Sequence, residues 1–292
     1  MSDLPLTRHA YRLERPADWH APVVAATPHS GRFYPSHFLR RSVLDERTIR
    51  SSEDAFVDLL AANAPGLGVP LLSAEYPRAF LDLNRGADEL DPAVIEGLRS
   101  SPINPRISSG LGVVPRVVSG GRAIYRGKIS RAEAEARIEK IWRPYHACLK
   151  GLMDEAHRRF GRAVLLDLHS MPHDALAALG HGSGPTRPDV VLGDRFGSSA
   201  SEEIVELLER GFRDAGLKVG RNTPFAGAHI VQRYGKPLHG HHAVQIEIDR
   251  GLYMNEDLVR PNGNFHNIKA VLSEVLSEVV AGLSGQIPLA AE

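Results

Sequence analysis

One cysteine, Cys148, supplies all the thiol chemistry in this 292-residue chain. A single thiol excludes an intramolecular disulfide and any zinc site built on paired cysteines. Net charge is missing as well, with 35 Lys and Arg against 35 Asp and Glu. Nothing electrostatic therefore calls for nucleic acid or an anionic membrane surface as partner. No apolar run approaches the roughly 20 residues of a membrane span. The opening MSDLPLTRHAYRLERP lacks the apolar centre of a secretion signal, so a cytoplasmic setting is expected. Internal repeats and low-complexity linkers are also absent.

What the chain does have is apolar runs that alternate with helical spacing. APVVAA (21–26), GVPLLSAEY, VLLDLHSMP and PDVVLGD read as buried strands, and HHAVQIEID alternates residue by residue. EDAFVDLLAANA (53–64) has helical spacing, with acids at its start where the helix dipole favours them. Ser130 opens a Ser-x-x-Glu capping box ahead of a helical pattern reaching Phe160, which Pro144 should kink. Ser199 with Glu202 is expected to cap SEEIVELLERGFRDAG, and a last amphipathic helix covers about 264–284. The expected fold is a single α/β domain over 1–292, with a mainly parallel or mixed sheet and helices on both faces. A Pro-, Gly- and Ser-rich excursion at about 86–128 interrupts it.

In such sheets ligands bind beyond the carboxyl ends of the strands, and polar groups gather there. His29 follows the strand at 22–26, Asn84 and Arg85 follow the one near 70–81, and His169 ends the one at 163–168. Asp167 and His169 point to one side at period two; Gln245, Glu247 and Asp249 share a face opposite Val244, Ile246 and Ile248. With thiolates excluded, a zinc ion would need nitrogen and oxygen donors. His29 and His169 are the best nitrogen donors, and Glu53, Asp54 or Asp58 could add the carboxylate. Two His and one carboxylate leave a position open for water, as hydrolytic zinc sites do.

Taken in order, TPHSG, ED followed by VDLL, DLNRG, WRPYH, DLHSMP, NTPFAGAHI with YGKP, and AVQIEID…LYM resemble the N-formylglutamate amidohydrolase family across about residues 20 to 256. That family is similar to the zinc carboxypeptidase and aspartoacylase group, so the resemblance implies a zinc-carboxypeptidase-like fold. HSGR (29–32) departs from the His-x-x-Glu spacing of carboxypeptidases, since position 32 is Arg. The resemblance then favours Asp54 as the carboxylate ligand beside His29 and His169, with Glu53 as the alternative.

It further implies hydrolysis of N-formyl-L-glutamate or a similar N-acyl acidic amino acid, one Zn2+ or other divalent ion per chain, and a place in histidine degradation. Glu247 would be the general base, and Asp167 would orient an imidazole. Arg85 would clamp a substrate carboxylate together with Asn84, and Arg116 or Arg126 could hold a second one. LHGHH (238–242) looks like a metal cluster, but strand alternation turns His241 away from His242. His239 and His229 are candidates for transition-state contacts. The competing readings are a deacylase or carboxypeptidase-like hydrolase on another N-acyl amino acid, and a metal-free dicarboxylate-binding protein.

Overall fold

The computed structural model describes residues 7–99, 104–175 and 187–284. Its strands are β1 (Tyr11–Glu14), β2 (Val23–Thr27), β3 (Leu71–Ala74), β4 (Val117–Val118), β5 (Arg122–Ala123), β6 (Ala163–Met171), β7 (Val190–Gly193), β8 (Val219–Arg221), β9 (His241–Asp249), β10 (Met254–Asn255) and β11 (Arg260–Pro261). Its helices are α1 (Ser36–Arg41), α2 (Val57–Leu60), α3 (Pro105–Ser108), α4 (Arg131–Arg137), α5 (Arg143–Phe160), α6 (Glu202–Asp214), α7 (His229–Tyr234) and α8 (Phe265–Ser284).

Seven strands form one sheet in the order β1-β3-β2-β6-β9-β7-β8, flanked by helices in an α/β fold. β2 and β6 pair in parallel from Val23↔Val164 to Ala26↔Asp167, and β6 and β9 from Ala163↔His241 to Met171↔Asp249. β7 runs antiparallel to β9, Val190↔Ile248 to Gly193↔Gln245, so the sheet is mixed. Every residue of β2 and of β6 is buried, as the continuous apolar runs require. Each buried Val or Leu there contributes roughly 1.5–3 kcal/mol. Because β2, β6 and β9 run the same way, their carboxyl ends gather at one edge.

The chain forms two compact units, each drawn from three stretches. The first takes its described residues from Met1–Arg12, Pro28–Ala55 and Ser73–Cys148; the second from Leu13–Thr27, Phe56–Leu72 and Leu149–Glu292. A fully buried arginine centres the first. Arg137 donates through Nη1 to the Phe80 carbonyl (2.9 Å) and the Tyr125 hydroxyl (2.8 Å), and through Nη2 to Glu133. Its Cζ lies 3.9 Å from the Phe80 ring centroid. In the second, α8 packs on α6 and on the 57–67 segment, burying Ile268, Leu272, Val275, Leu276, Val279 and Leu283.

Several local expectations need correction. β6 continues through His169 and Ser170 to Met171, so Pro172 alone stops it. The helix expected from 53 is α2, only Val57–Leu60, because Phe56 takes a left-handed backbone (φ 68) and Glu53 is extended. Asp54 thus precedes the helix and does not share a helical face with Asp58. Ser130 caps α4 as expected, its Oγ accepting from Glu133 N. The disruption expected at Pro144 is a π-helical turn at Ile138–Trp142, where the ring's missing N–H and its clash with the preceding turn are absorbed. α6 begins after Ser201; Ser199 instead donates its hydroxyl to the Ala243 carbonyl. β1 and β8 escaped the sequence reading because both are short and half-exposed, without an apolar run. The 86–128 stretch is largely irregular where described, holding only α3, β4, β5 and a 3-10 turn.

Candidate metal centre and substrate pocket

In the first unit, His29 leaves β2 after Thr27 and Pro28 and is buried. The loop closes on itself when Asp54 N donates to the His29 carbonyl (3.0 Å). This sets Asp54 Oδ2 3.4 Å from His29 Nδ1. The opposite ring nitrogen, Nε2, lies 2.7 Å from Asp82 Oδ1. Asp82 has no exposed surface, and Arg78 Nε donates to its other oxygen at 3.0 Å. Burial alone would push its pKa up, but Arg78, His29 and Arg85 outweigh that and hold the carboxyl well below the usual range. An ionised carboxylate can only accept, so His29 Nε2 is the donor, and in the neutral ring the lone pair is on Nδ1.

Glu53 and Asp54 are neighbours with different surroundings. Both Glu53 oxygens are held: Oε1 by Arg50 Nη2 (2.9 Å), Oε2 by Arg50 Nε (2.9 Å) and the Tyr34 hydroxyl (3.0 Å). The Tyr34 phenol is pushed well up, first by burial and then by Glu53 beside it. Tyr34 and Arg50 also line a cavity of about 290 Å³ with Arg32, Leu39, Glu46 and Ile49.

Past Asp82 the chain turns, with Asn84 N donating to Asp82 Oδ1 (2.8 Å). Arg85 is buried and donates through Nε to the Leu111 carbonyl (2.9 Å) and through Nη1 to the Asn84 carbonyl (2.8 Å). Trp142 Nε1 fixes its backbone by donating to the Arg85 carbonyl (2.9 Å). Burial pushes the guanidinium pKa down, and Asp82 opposes that. The outer edge of the fork, Nη2 and the second N–H of Nη1, is not used by these bonds. Arg116 is half-buried on Asp91 (3.1 Å) and the Ser108 carbonyl, while Arg126 is exposed.

In the second unit, β6 carries Asp167 and His169 on one side, and His169 Nε2 lies 3.0 Å from Asp167 Oδ2. Parallel register sets Glu247 directly beside His169 and Gln245 beside Asp167. The polar face of β9 does not meet water, since Gln245, Glu247 and Asp249 are all buried. Gln245 Nε2 donates to Glu247 Oε1 (2.7 Å), and Gln245 Oε1 accepts from Ala228 N (3.1 Å), immediately before His229 at the start of α7. The histidines of LHGHH lie elsewhere. His241 and His242 open β9, with His241 paired to Ala163 and its ring stacked on His157 at 4.4 Å. Glu247 lies five residues further on, about 17 Å at strand rise. His239 is exposed beside Gly240, whose carbonyl accepts from Ala163 N at the amino end of β6. It cannot serve as a transition-state contact at the carboxyl ends.

One atom each from His29, Asp54 and His169 falls within 4.8 Å of the others, all three residues being buried. Among the described residues this is the group of nitrogen and carboxylate donors close enough to hold one metal ion. Two imidazoles and one carboxylate are a donor set suited to zinc. The sequence reading missed Asp82 and Gln245. Asp82 was visible in DLNR and Gln245 in the alternating face of QIEID, but no residue type marks a carboxylate or amide as the orienting partner of another group.

A model of the N-formylglutamate amidohydrolase family matches residues 21–254. The chain belongs to this family. Its similarity to the N-formylglutamate deformylase of Pseudomonas putida is 28% identity, covering 89% of this chain and 92% of that protein. With the enzyme of the same name from Pseudomonas aeruginosa it shares 30% identity, over 80% and 83% of the two chains. Among solved structures, an N-formylglutamate amidohydrolase from Ralstonia eutropha JMP134 superposes with a TM-score of 0.87 at 35% identity, covering 94% of this chain and 98% of that one. His29, Asp54, His169 and Glu247 all fall inside the stretch that the family model matches.

Proposed function

We propose that this chain hydrolyses the formamide C–N bond of N-formyl-L-glutamate, or of a close N-acyl acidic amino acid, releasing the carboxylic acid and the free amino acid. The observation that carries this reading is the meeting of His29, Asp54 and His169 within 4.8 Å in a family member, with Glu247 in register beside His169. The deformylase names of its relatives supply the substrate. A cytoplasmic setting and a role in histidine breakdown belong to the same reading.

Zinc fits the donors present. His29 Nε2 is bonded to the buried Asp82 carboxylate, so Nδ1 is the nitrogen it has to offer a metal, and His169 Nε2 lies 3.0 Å from the buried Asp167 carboxylate. Asp54 adds the oxygen, whereas Glu53 is held by Arg50 and Tyr34. A bound zinc ion would lower the pKa of a water to about 7 and polarise the amide carbonyl. Glu247 takes the proton from the attacking water and delivers it to the leaving nitrogen, so the C–N bond breaks to a neutral amine and not an amide anion. Arg85 grips a substrate carboxylate through the outer edge of its fork, beside Asn84.

Protein purified without chelator, assayed for bound metal and for formate release from N-formyl-L-glutamate, tests the reading. We expect about one zinc per chain and hydrolysis, with both lost in His29→Ala and in His169→Ala. Stoichiometric zinc in either variant would remove that residue from the ligand set. Tight binding of the dicarboxylate without metal or formate release would make the protein a binding protein.

A further inference from the structure

Glu247 is buried on β9, and its Oε1 accepts a side-chain hydrogen bond. Gln245, two residues earlier on the same face, donates to Glu247 Oε1 at 2.7 Å. The orientation of that amide is not arbitrary. A backbone N–H can only donate, and Ala228 N lies 3.1 Å from the other end of the Gln245 side chain. That end must therefore be the oxygen, which turns the NH2 toward Glu247.

The chain around Ala228 is seated to make this contact. Residue 193 of β7 stands directly across from Gln245 and is glycine. A Cβ there would come within 2.7 Å of the Phe225 carbonyl oxygen and 2.8 Å of Gly227 N. The absence of a side chain at 193 lets the 225–227 backbone lie on the strand. Gly227 completes the fit with a left-handed backbone (φ +104). The Ala228 N–H then reaches Gln245.

We propose that Gln245 is a positioning residue for the general base: oriented by the Ala228 N–H, it donates to Glu247 Oε1 and fixes the orientation of the Glu247 carboxylate. A carboxylate free to rotate would be aligned for proton transfer only part of the time. The inference rests on the role proposed above for Glu247.

Two variants of Gln245 separate the contacts. Gln245→Met keeps the length and removes both hydrogen bonds. Gln245→Glu keeps an acceptor for the Ala228 N–H and puts a second carboxyl group beside Glu247 in place of the neutral donor. Each should retain zinc content and change KM by less than about threefold, while kcat falls about 10- to 100-fold, a fraction of what a general base contributes. In the Glu247→Gln background, adding Gln245→Met should change kcat by less than about twofold, because residues acting as one unit are not additive. Wild-type kcat in Gln245→Met would overturn the proposal. So would losses that multiply in the double variant, since they would make Gln245 merely structural. If Glu247→Gln alone keeps wild-type turnover, the assignment of the base fails and the positioning role falls with it.

Discussion

His29 Nε2 donates to Asp82 Oδ1 across 2.7 Å, and both groups are buried. The same carboxylate lies against Arg78 and, at 3.9 Å, against Arg85 Nε. One acid therefore orients a proposed metal ligand and faces the proposed substrate clamp.

Asp82→Asn keeps the shape and removes the charge. Zinc affinity should fall about 10- to 100-fold, as expected when an orienting partner of a metal-bound imidazole is lost. Competition with a chromophoric chelator measures it; unchanged affinity would make Asp82 only an anchor for arginines. The substitution should also alter acid stability. The folded pKa of Asp82 lies below its unfolded value of about 4, so its stabilising effect is full above that pH and is lost as pH falls through the folded value. Metal-free wild type should then lose more stability than metal-free Asp82→Asn as pH drops below about 4, read as Tm against pH.

Glu53 and Asp54 give a paired test. Asp54→Asn should abolish zinc retention, because its Oδ2 is the oxygen beside His29 Nδ1. Glu53→Gln should keep the metal and lower stability by roughly 1–3 kcal/mol, since it weakens a buried charge-assisted pair with Arg50. The opposite pattern in metal analysis would exchange the two roles.

The sheet was legible where burial on both faces writes a continuous apolar run, as in β2, β6 and β7, and where the residues alternate, as in β9. The two histidines at its edge followed from the same reasoning. The choice between Glu53 and Asp54 could not be read locally. It depends on Arg50 and Tyr34 closing on the first and on the His29 carbonyl binding the backbone of the second. The helix expected from 53 failed for a related reason: apolar spacing does not reveal that Phe56 turns left-handed. Strand alternation already argued against LHGHH as a metal cluster, but it left His239 as a candidate, because alternation says nothing about which end of a strand faces the site.

Arg137 gives a prediction away from the chemistry. Its guanidinium is fully buried among Glu133, the Phe80 carbonyl and the Tyr125 hydroxyl. Arg137→Met would leave those acceptors without their donor, although Arg41 still pairs with Glu133. Breaking a buried pair by removing one partner costs about 3–5 kcal/mol, and the remaining Arg41 contact places this case near 3. Urea unfolding should show it; a loss below about 1 kcal/mol would mean that solvent or rearrangement satisfies the site.

Arg85 offers the test of substrate class. Its Nε and one Nη1 hydrogen are fixed on the Leu111 and Asn84 carbonyls, so the guanidinium is held rigid before any ligand arrives. A rigid fork loses little freedom on binding and presents parallel donors that an ammonium cannot reproduce. Arg85→Ala should weaken transition-state binding by roughly 2–5 kcal/mol, by analogy with charge pairs at interfaces. Most of that should appear as a raised KM, since the clamp holds substrate and transition state alike, with a fall in kcat if it also sets the amide over the metal. Arg85→Lys should recover little of it. The deciding comparison is N-formyl-L-glutamate against its uncharged diamide. Wild type should prefer the charged substrate strongly, and Arg85→Ala should lose most of that preference. A mutant that keeps the full preference would make Arg85 a structural arginine, and the carboxylate grip would then fall to Arg116, whose Nε already rests on Asp91, or to the exposed Arg126.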